Sequence, residues 1–274
     1  MKSIVVPIDF SEYAENALKA AAFFAKKNNS EIFLLHLLEL PGQMNDAMTS
    51  GSSIPEVMLF INKANDLLQK ITEQPYLEGI KISTSVQFEK AFSGIMSFSK
   101  INKIDLIIMG SHGTSGIEEL LIGSNAEKVV RLSEIPVLIL KKDINEARFD
   151  NFVFASDFSE EVKKPFQKMI EFAQIFTAKI SLVMIATPNS FKNTIDSEKK
   201  MKQFVKNFDI QNYSLHIFND TNIENGIINF SKKINADLIG LCTHGRTGLA
   251  HFFNGSITED LVNHAAKPVI TFKI

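Results

Sequence analysis

The sequence predicts an α/β protein built from two tandem doubly wound domains, each with a five-stranded parallel sheet. Three observations carry this. The chain repeats itself: IDLIIMGSHGTSG (104–116) matches ADLIGLCTHGRTG (236–248), and GSNAEKVVRLSEIPVLIL (123–140) matches GSITEDLVNHAAKPVITF (255–272), both at a spacing of 132 residues. Within each copy, short apolar runs alternate with longer stretches of helical apolar spacing, the pattern of strands joined by crossover helices. Glycine is concentrated: eight of the 13 lie in 110–123 and 240–255, so the unusual backbone falls after the fourth apolar run of each copy.

The elements follow in order. SIVVPI (3–8) and NFVFAS (151–156) are first strands, and each runs into the same Asp-Phe-Ser-Glu, 9–12 and 157–160, at a spacing of 148 residues. Helices are predicted over 12–27 and 160–177, with Ser11 and Ser159 as N-caps followed by glutamate in the first turn. Strands at 31–38 and 179–185 come next, then helices at 55–73 and 195–206, and strands at 81–87 and 212–218. Helices at 93–102 and 223–234 lead to strands at 105–110 and 237–242, the glycine loops, helices at 124–133 and 256–265, and strands at 136–141 and 268–273. The drop in spacing from 148 to 132 means that the second copy lacks 16 residues, which the first spends on the polar excursion 41–55. The domains are therefore 1–142 and 151–274, with 143–150 in a charged linker. Continuous apolar strands mean a sheet covered on both faces. The fifth strands, VLILKK and VITFKI, are candidates for edge pairing between the halves.

Bulk composition narrows the function classes. With 29 Lys+Arg against 31 Asp+Glu, nothing marks a nucleic-acid or membrane surface. The 23 phenylalanines fall mostly at apolar positions, so core packing accounts for them without a base-stacking platform. A single cysteine, Cys242, excludes an intrachain disulfide and a cysteine-based zinc site, and suits a reducing cytoplasm. MKSIVVPIDF reads as a first strand, not a signal peptide. No metal site and no catalytic set is expected. His112 and His244, between loop glycines, suit loop packing better than catalysis, and His36 in an apolar run reads as a satisfied core histidine.

The glycine loop suits a polyphosphate. It reads Gly110-x2-Gly113-x9-Gly123-Ser124 in the first copy. Glycines allow close backbone approach and let successive N–H groups point into one concavity. Gly123-Ser124 then opens a helix whose first N–H groups and dipole favour an anion. In a sheet of order 3-2-1-4-5, the ligand crevice lies between the ends of strands one and four, at Asp9 and Gly110. No glycine follows strand one, which argues against a GxGxxG dinucleotide site. GxxxxGK[ST] is absent as well.

On these residues the chain resembles the universal stress protein family. The carriers are Gly-x2-Gly-x9-Gly-Ser after strand four, Asp at the end of strand one, SHGTSG and THGRTG, and the closing IPVLIL and KPVITF. The resemblance covers nearly all of both halves. It implies Rossmann-like domains of the adenine nucleotide α-hydrolase type, pairing of the two domains within the chain, and ATP or ADP as ligand, with or without Mg. It implies that Pro7, Ile8 and Asp9 meet adenine and ribose, that Leu37 or Leu38 lines the adenine slot, and that Met109 touches sugar and base. Gly110, Gly113, Gly123, Ser124 and Asn125 would hold the phosphates. The second-half set is Ser156, Asp157, Cys242, Gly245, Gly255, Ser256 and Ile257. A protein partner and a homodimer are further expectations.

The second copy departs at Cys242, which stands where the first loop glycine belongs. If that position needs positive φ or close approach, a Cβ there costs about 1 kcal/mol or more. In ordinary strand backbone, cysteine is tolerated. Charge runs the other way, because the first loop carries Glu118 and Glu119 where the second has Arg246 and His251. The intact motif favours the first half for binding. Cys242 reads as a buried, inert thiol rather than a redox sensor. The leading expectation is a cytoplasmic stress-response protein that holds ATP as a regulatory ligand. The competing one is an interaction module of the same fold with empty sites. A third class, an ATP pyrophosphatase of the wider superfamily, would call for a serine- and glycine-rich loop right after strand one, which VVPIDFSE lacks; slow ATP hydrolysis is left open.

Overall fold

The computed structural model describes residues 1–39, 54–111, 123–141, 149–191, 193–243 and 261–274. The first half comprises β1 (Ser3–Pro7), α1 (Glu12–Asn28), β2 (Glu31–Leu37), α2 (Ile54–Thr72), β3 (Ile82–Gln87), α3 (Ala91–Ile101), β4 (Leu106–Gly110), α4 (Ser124–Leu132) and β5 (Val137–Leu140). The second comprises β6 (Asn151–Ala155), α5 (Lys163–Gln174), β7 (Lys179–Ala186), α6 (Thr194–Val205), β8 (Tyr213–Asn219), α7 (Ile223–Lys233), β9 (Leu238–Thr243) and β10 (Val269–Lys273), with helical backbone at 261–264 before β10. Each half pairs its strands in parallel in the expected 3-2-1-4-5 order.

The halves share one ten-stranded sheet, because β5 and β10 pair antiparallel. Leu138 faces Ile270, its own counterpart in the repeat, so a pseudo-twofold axis passes between them. Joining the two edges removes a pair of apolar strand edges from solvent. On one face of the seam, α1 meets α5 through phenylalanines. Phe24 lies 5.5 Å from its counterpart Phe172, and Phe23 stacks on Phe176 at 5.9 Å. On the other face the contacts are reciprocal lysines. Lys141 Nζ donates to the Asn263 carbonyl, and Lys273 Nζ donates to the Leu132 carbonyl at 3.5 Å, each at the C-terminal end of the other half's last helix. Burial lowers the pKa of Lys141.

Backbone details repeat along with the fold. Among the described residues, six non-glycine residues have positive φ, and they form three pairs: Phe10 with Phe158, Asn29 with Thr177, and Lys103 with Asn235. The repeated Asp105 and Asp237 prove structural. Asp105 Oδ2 accepts from the Lys2 and Ser3 N–H groups, and Asp237 Oδ2 from those of Asp150 and Asn151, tying the start of each first strand to the start of the fourth. Core volumes compensate between copies. Ile108, Val6 and Ala21 of the first half become Gly240, Phe154 and Met169 in the second, where a Cβ on Gly240 would meet Met169 Sδ at 2.9 Å.

Two expectations are corrected. Ser11 caps α1, accepting from Ala14 N–H, but Ser159 makes no such bond. A 3-10 turn at Glu160–Val162 precedes α5, and Pro165 in its first turn has no N–H to give an α-helical bond to Glu161. Phe149, placed in the linker by its charged neighbours, is 3 % exposed and packs against Phe24 and Phe176. Of the linker, residues 143–148 lie outside the described set.

Candidate functional site

The site begins where β1 ends. Ile8 N–H donates to the Leu35 carbonyl, which holds the exit of β1 against β2. The chain then turns sharply at Phe10, whose φ is 65°. A ring-bearing residue in left-handed backbone costs about 1–2 kcal/mol. Two features offset it. Asp9 Oδ1 accepts from Ser11 N–H at 3.0 Å and Ser11 Oγ–H at 2.6 Å. The Phe10 ring lies 4.6 Å from His36, whose Nδ1–H donates to the Ile8 carbonyl. His36 is thus satisfied as expected, and its ring props the turn that presents Asp9.

Across from this turn stands the end of β4. Gly110 has no positive φ, so conformational freedom is not its purpose. A Cβ there would stand 2.7 Å from the backbone carbon and oxygen of Tyr13 in α1. The glycine lets α1 cross β4 at close range. Beyond it, Ser111 N–H donates to Leu140, and Gly123 N–H donates to the Ser111 carbonyl at 2.7 Å, so residues 111 and 123 are clasped together. Gly123 then starts α4 without a side-chain cap. The first N–H groups of a helix lack intrahelical partners and carry its positive dipole end.

These pieces enclose a cleft of about 300 Å³. Pro7, Ile8, Asp9, Leu37, Met109, Gly110, Gly123, Ser124 and Asn125 all line it, residues drawn from β1, β2, β4 and α4. Leu37, the last residue of β2, rather than Leu38 reaches it. Gly113 lies outside the described residues. Sequence reasoning missed Glu39, which lines the same cleft and accepts from Ala91 N–H at 2.8 Å, capping α3 where Lys90 offers no side-chain cap. Its signal was a carboxylate two residues past Leu37, on the strand end already singled out. A second close approach shapes this wall: a Cβ on Gly94 of α3 would stand 2.5 Å from Leu37 Cδ2, and Gly226 repeats the arrangement against Ile185.

The second half is built differently at the same place. Ser156 Oγ accepts from Phe158 N–H, Asp157 Oδ1 accepts from Ser159 N–H, and Lys200 Nζ donates to the Asp157 carbonyl at 2.5 Å. Cys242 sits in β9 with φ outside the left-handed region and is fully buried. It is tolerated because α5, after its 3-10 turn, packs chiefly on β7 and β10, whereas α1 lies across β4. Gly245, Gly255, Ser256 and Ile257 lie outside the described residues, as do His112, His244 and the loop charges. Burial, with the Asp157 charge adding to it, pushes the Cys242 thiol far above its usual range. The thiol is therefore expected to resist a disulfide reagent in the native protein and to react fully in denaturant. Stoichiometric labelling of the folded chain at neutral pH would refute this. No cluster of three metal-ligating side chains occurs among the described residues, and no helix among them is long and apolar enough to cross a membrane.

Two doubly wound α/β units joined edge to edge in one sheet, with a cleft at the switch point of the first half, define a tandem doubly wound α/β protein. The family model of the universal stress proteins matches the chain twice, over residues 1–141 and 148–273. The chain belongs to the universal stress protein family. The universal stress protein MJ0531 of Methanocaldococcus jannaschii is 32% identical over 146 residues, which is 53% of this chain and 85% of that one. Slr1230 of Synechocystis is 22% identical over 304 residues and spans all of both chains, in keeping with the tandem form. A solved universal stress protein of Archaeoglobus fulgidus superposes with a TM-score of 0.76 at 22% identity, over 99% of this chain and 98% of that one, a likeness of fold.

Proposed function

We propose that the first half binds ATP or ADP in the cleft between β1 and β4, and that the protein acts in the cytoplasm as a nucleotide-responsive stress protein rather than as an enzyme. The observation that carries this is the convergence of nine residues, from four separate elements, on one cleft. Their chemistry divides it in two. Leu37 and Met109 supply an apolar slot for a base, and the carboxylates of Asp9 and Glu39 supply acceptors for ribose hydroxyls. The uncapped start of α4, with Ser124 and Asn125, supplies donors for phosphate oxygens. Such a ligand needs only about −4 kcal/mol to be held at millimolar concentration. Among the described residues no lysine lines the cleft, and its carboxylates, Asp9 and Glu39, are assigned to the ribose, so ligand binding is favoured over turnover.

For the second half, the Lys200 bond to the Asp157 carbonyl and the edge pairing of β10 favour a different role, as the partner that completes the shared sheet. The test is to denature the purified protein and identify released nucleotide by mass and molar ratio. About one per chain is expected, in keeping with one competent crevice of the doubly wound type. In Ser124→Glu, a carboxylate at the start of α4 favours the helix but repels phosphate, so nucleotide affinity should fall about tenfold or more with the fold intact. No released nucleotide, together with no thermal shift in millimolar Mg-ATP, would leave the interaction module as the surviving reading.

A further inference from the structure

We propose that the first half carries a second ligand site, a cavity of about 260 Å³ between α1 and α2, which takes a small aromatic carboxylate. Phe10, Leu18, Leu67 and Ile71 form its apolar walls, and Lys70 and Tyr76 are among its polar members. The internal repeat identifies what belongs there. Phe10 and Phe158 share left-handed backbone, and so do Asn29 and Thr177, so the residues between them correspond one for one. Leu18 therefore stands where the second half has Phe166. In that half, Phe166 packs against Phe204 at 5.3 Å and Phe208 at 4.9 Å, and Phe204 packs against Phe158 at 5.3 Å. Those rings fill the space between α5 and α6.

In the first half α1 and α2 offer Leu18, Leu67 and Ile71 there, and the aromatic residues of the lining are Phe10 and Tyr76, at its edges in the chain turn before α1 and past the end of α2. Phe10, the counterpart of Phe158, lies against His36 instead. The cavity is the volume the missing rings leave, with the shape and polarity that accept a phenyl group. Charge sets the rest of the ligand. Glu15, also in the lining, is paired with Lys19 at 3.2 Å, whereas Lys70 has no ion pair among the described residues. A carboxylate on a short chain from the ring would reach that cation. Burial, then the Glu15 charge, raises the Tyr76 pKa, so its hydroxyl stays protonated and able to donate. Ile8 and Ala14 line both this cavity and the cleft between β1 and β4, but nothing in the proposal depends on nucleotide.

The probe is 3-phenylpropionate, titrated into the full chain and followed by ligand-observed NMR. Saturable binding is expected. Leu18→Phe, which fills the cavity as the second half does, should weaken it about tenfold or more, since the ring's place is taken. Ile71→Phe gives an independent route to the same loss should Leu18→Phe not fold, with circular dichroism checking each. Lys70→Gln should weaken the carboxylate about threefold to fivefold and leave 3-phenylpropanol unchanged, as expected for one exposed ion pair. Absence of saturable binding to the folded wild type at millimolar probe, or equal affinity in the filled variants, would overturn the site. Equal loss of acid and alcohol in Lys70→Gln would overturn its charge logic.

Discussion

Gly110→Ala is expected to cost about 2–3 kcal/mol of stability, an overpacking effect of unusual size for a single methyl group. The added Cβ would stand 2.7 Å from Tyr13 backbone atoms, and backbone within a helix has no rotamer by which to yield. Either α1 shifts off β4, opening the core beneath it, or β4 shifts and carries the clasped residues 111 and 123 away from Asp9. Both routes deform the cleft, so nucleotide retention should fall with stability. The second half supplies the control. Cys242 already has a Cβ and a sulfur at the matching position, so Cys242→Ala removes packing without relieving a clash and should cost about 1 kcal/mol. Urea unfolding monitored by circular dichroism measures both. A Gly110→Ala variant within about 0.5 kcal/mol of wild type would show that α1 is free to slide, and would sink the close-approach argument.

The second large effect lies at the pseudo-twofold axis. Phe24→Ala should cost about 3–5 kcal/mol, because the ring is 2 % exposed and sits within a cluster that includes Phe149, Phe172 and Phe176. Phe172→Ala should cost a similar amount, since Phe172 is its counterpart and its neighbour. The double variant should lose less than the sum, by about 0.5–1.5 kcal/mol, as expected of two rings that contact each other. With the halves locked by this cluster and by β5–β10 pairing, thermal unfolding should remain one transition in wild type. Strict additivity of the two substitutions would mean that the rings stabilise their own halves separately and that the seam rests on the strands alone.

Much of the fold was legible in the sequence because its signals were local or repeated. Strands in a doubly wound sheet are buried on both faces and read as unbroken apolar runs, and the duplicate copy gave each run a second witness. That the described first-half site residues would line one cleft was legible for a related reason. A parallel sheet brings the ends of strands one, two and four to one edge whatever their separation in the chain. The misses have physical causes too. Ser159 looks like Ser11 in sequence, but Pro165 six residues on changes the first turn of its helix. Phe149 follows a run of charges, and its burial depends on α1 and α5 meeting above it. Glu39 entered the cleft through a cap that links a strand end to a helix 52 residues away.

The division of labour is clear at Gly110 and Cys242. Sequence alone determined that the chain is two copies of one α/β unit and that its glycines cluster after the fourth strand of each. Those properties are written in periodicity, glycine placement and repetition, which need no knowledge of neighbours. Only the tertiary structure decided why the glycine stands at 110, because the reason is the distance to a helix formed about a hundred residues earlier. The same holds for the seam that puts Leu138 opposite Ile270, and for the space beside Leu18 that phenylalanine rings fill in the other half. Close approach, shared edges and unfilled volume are properties of pairs of surfaces, and a chain acquires them only when those surfaces meet.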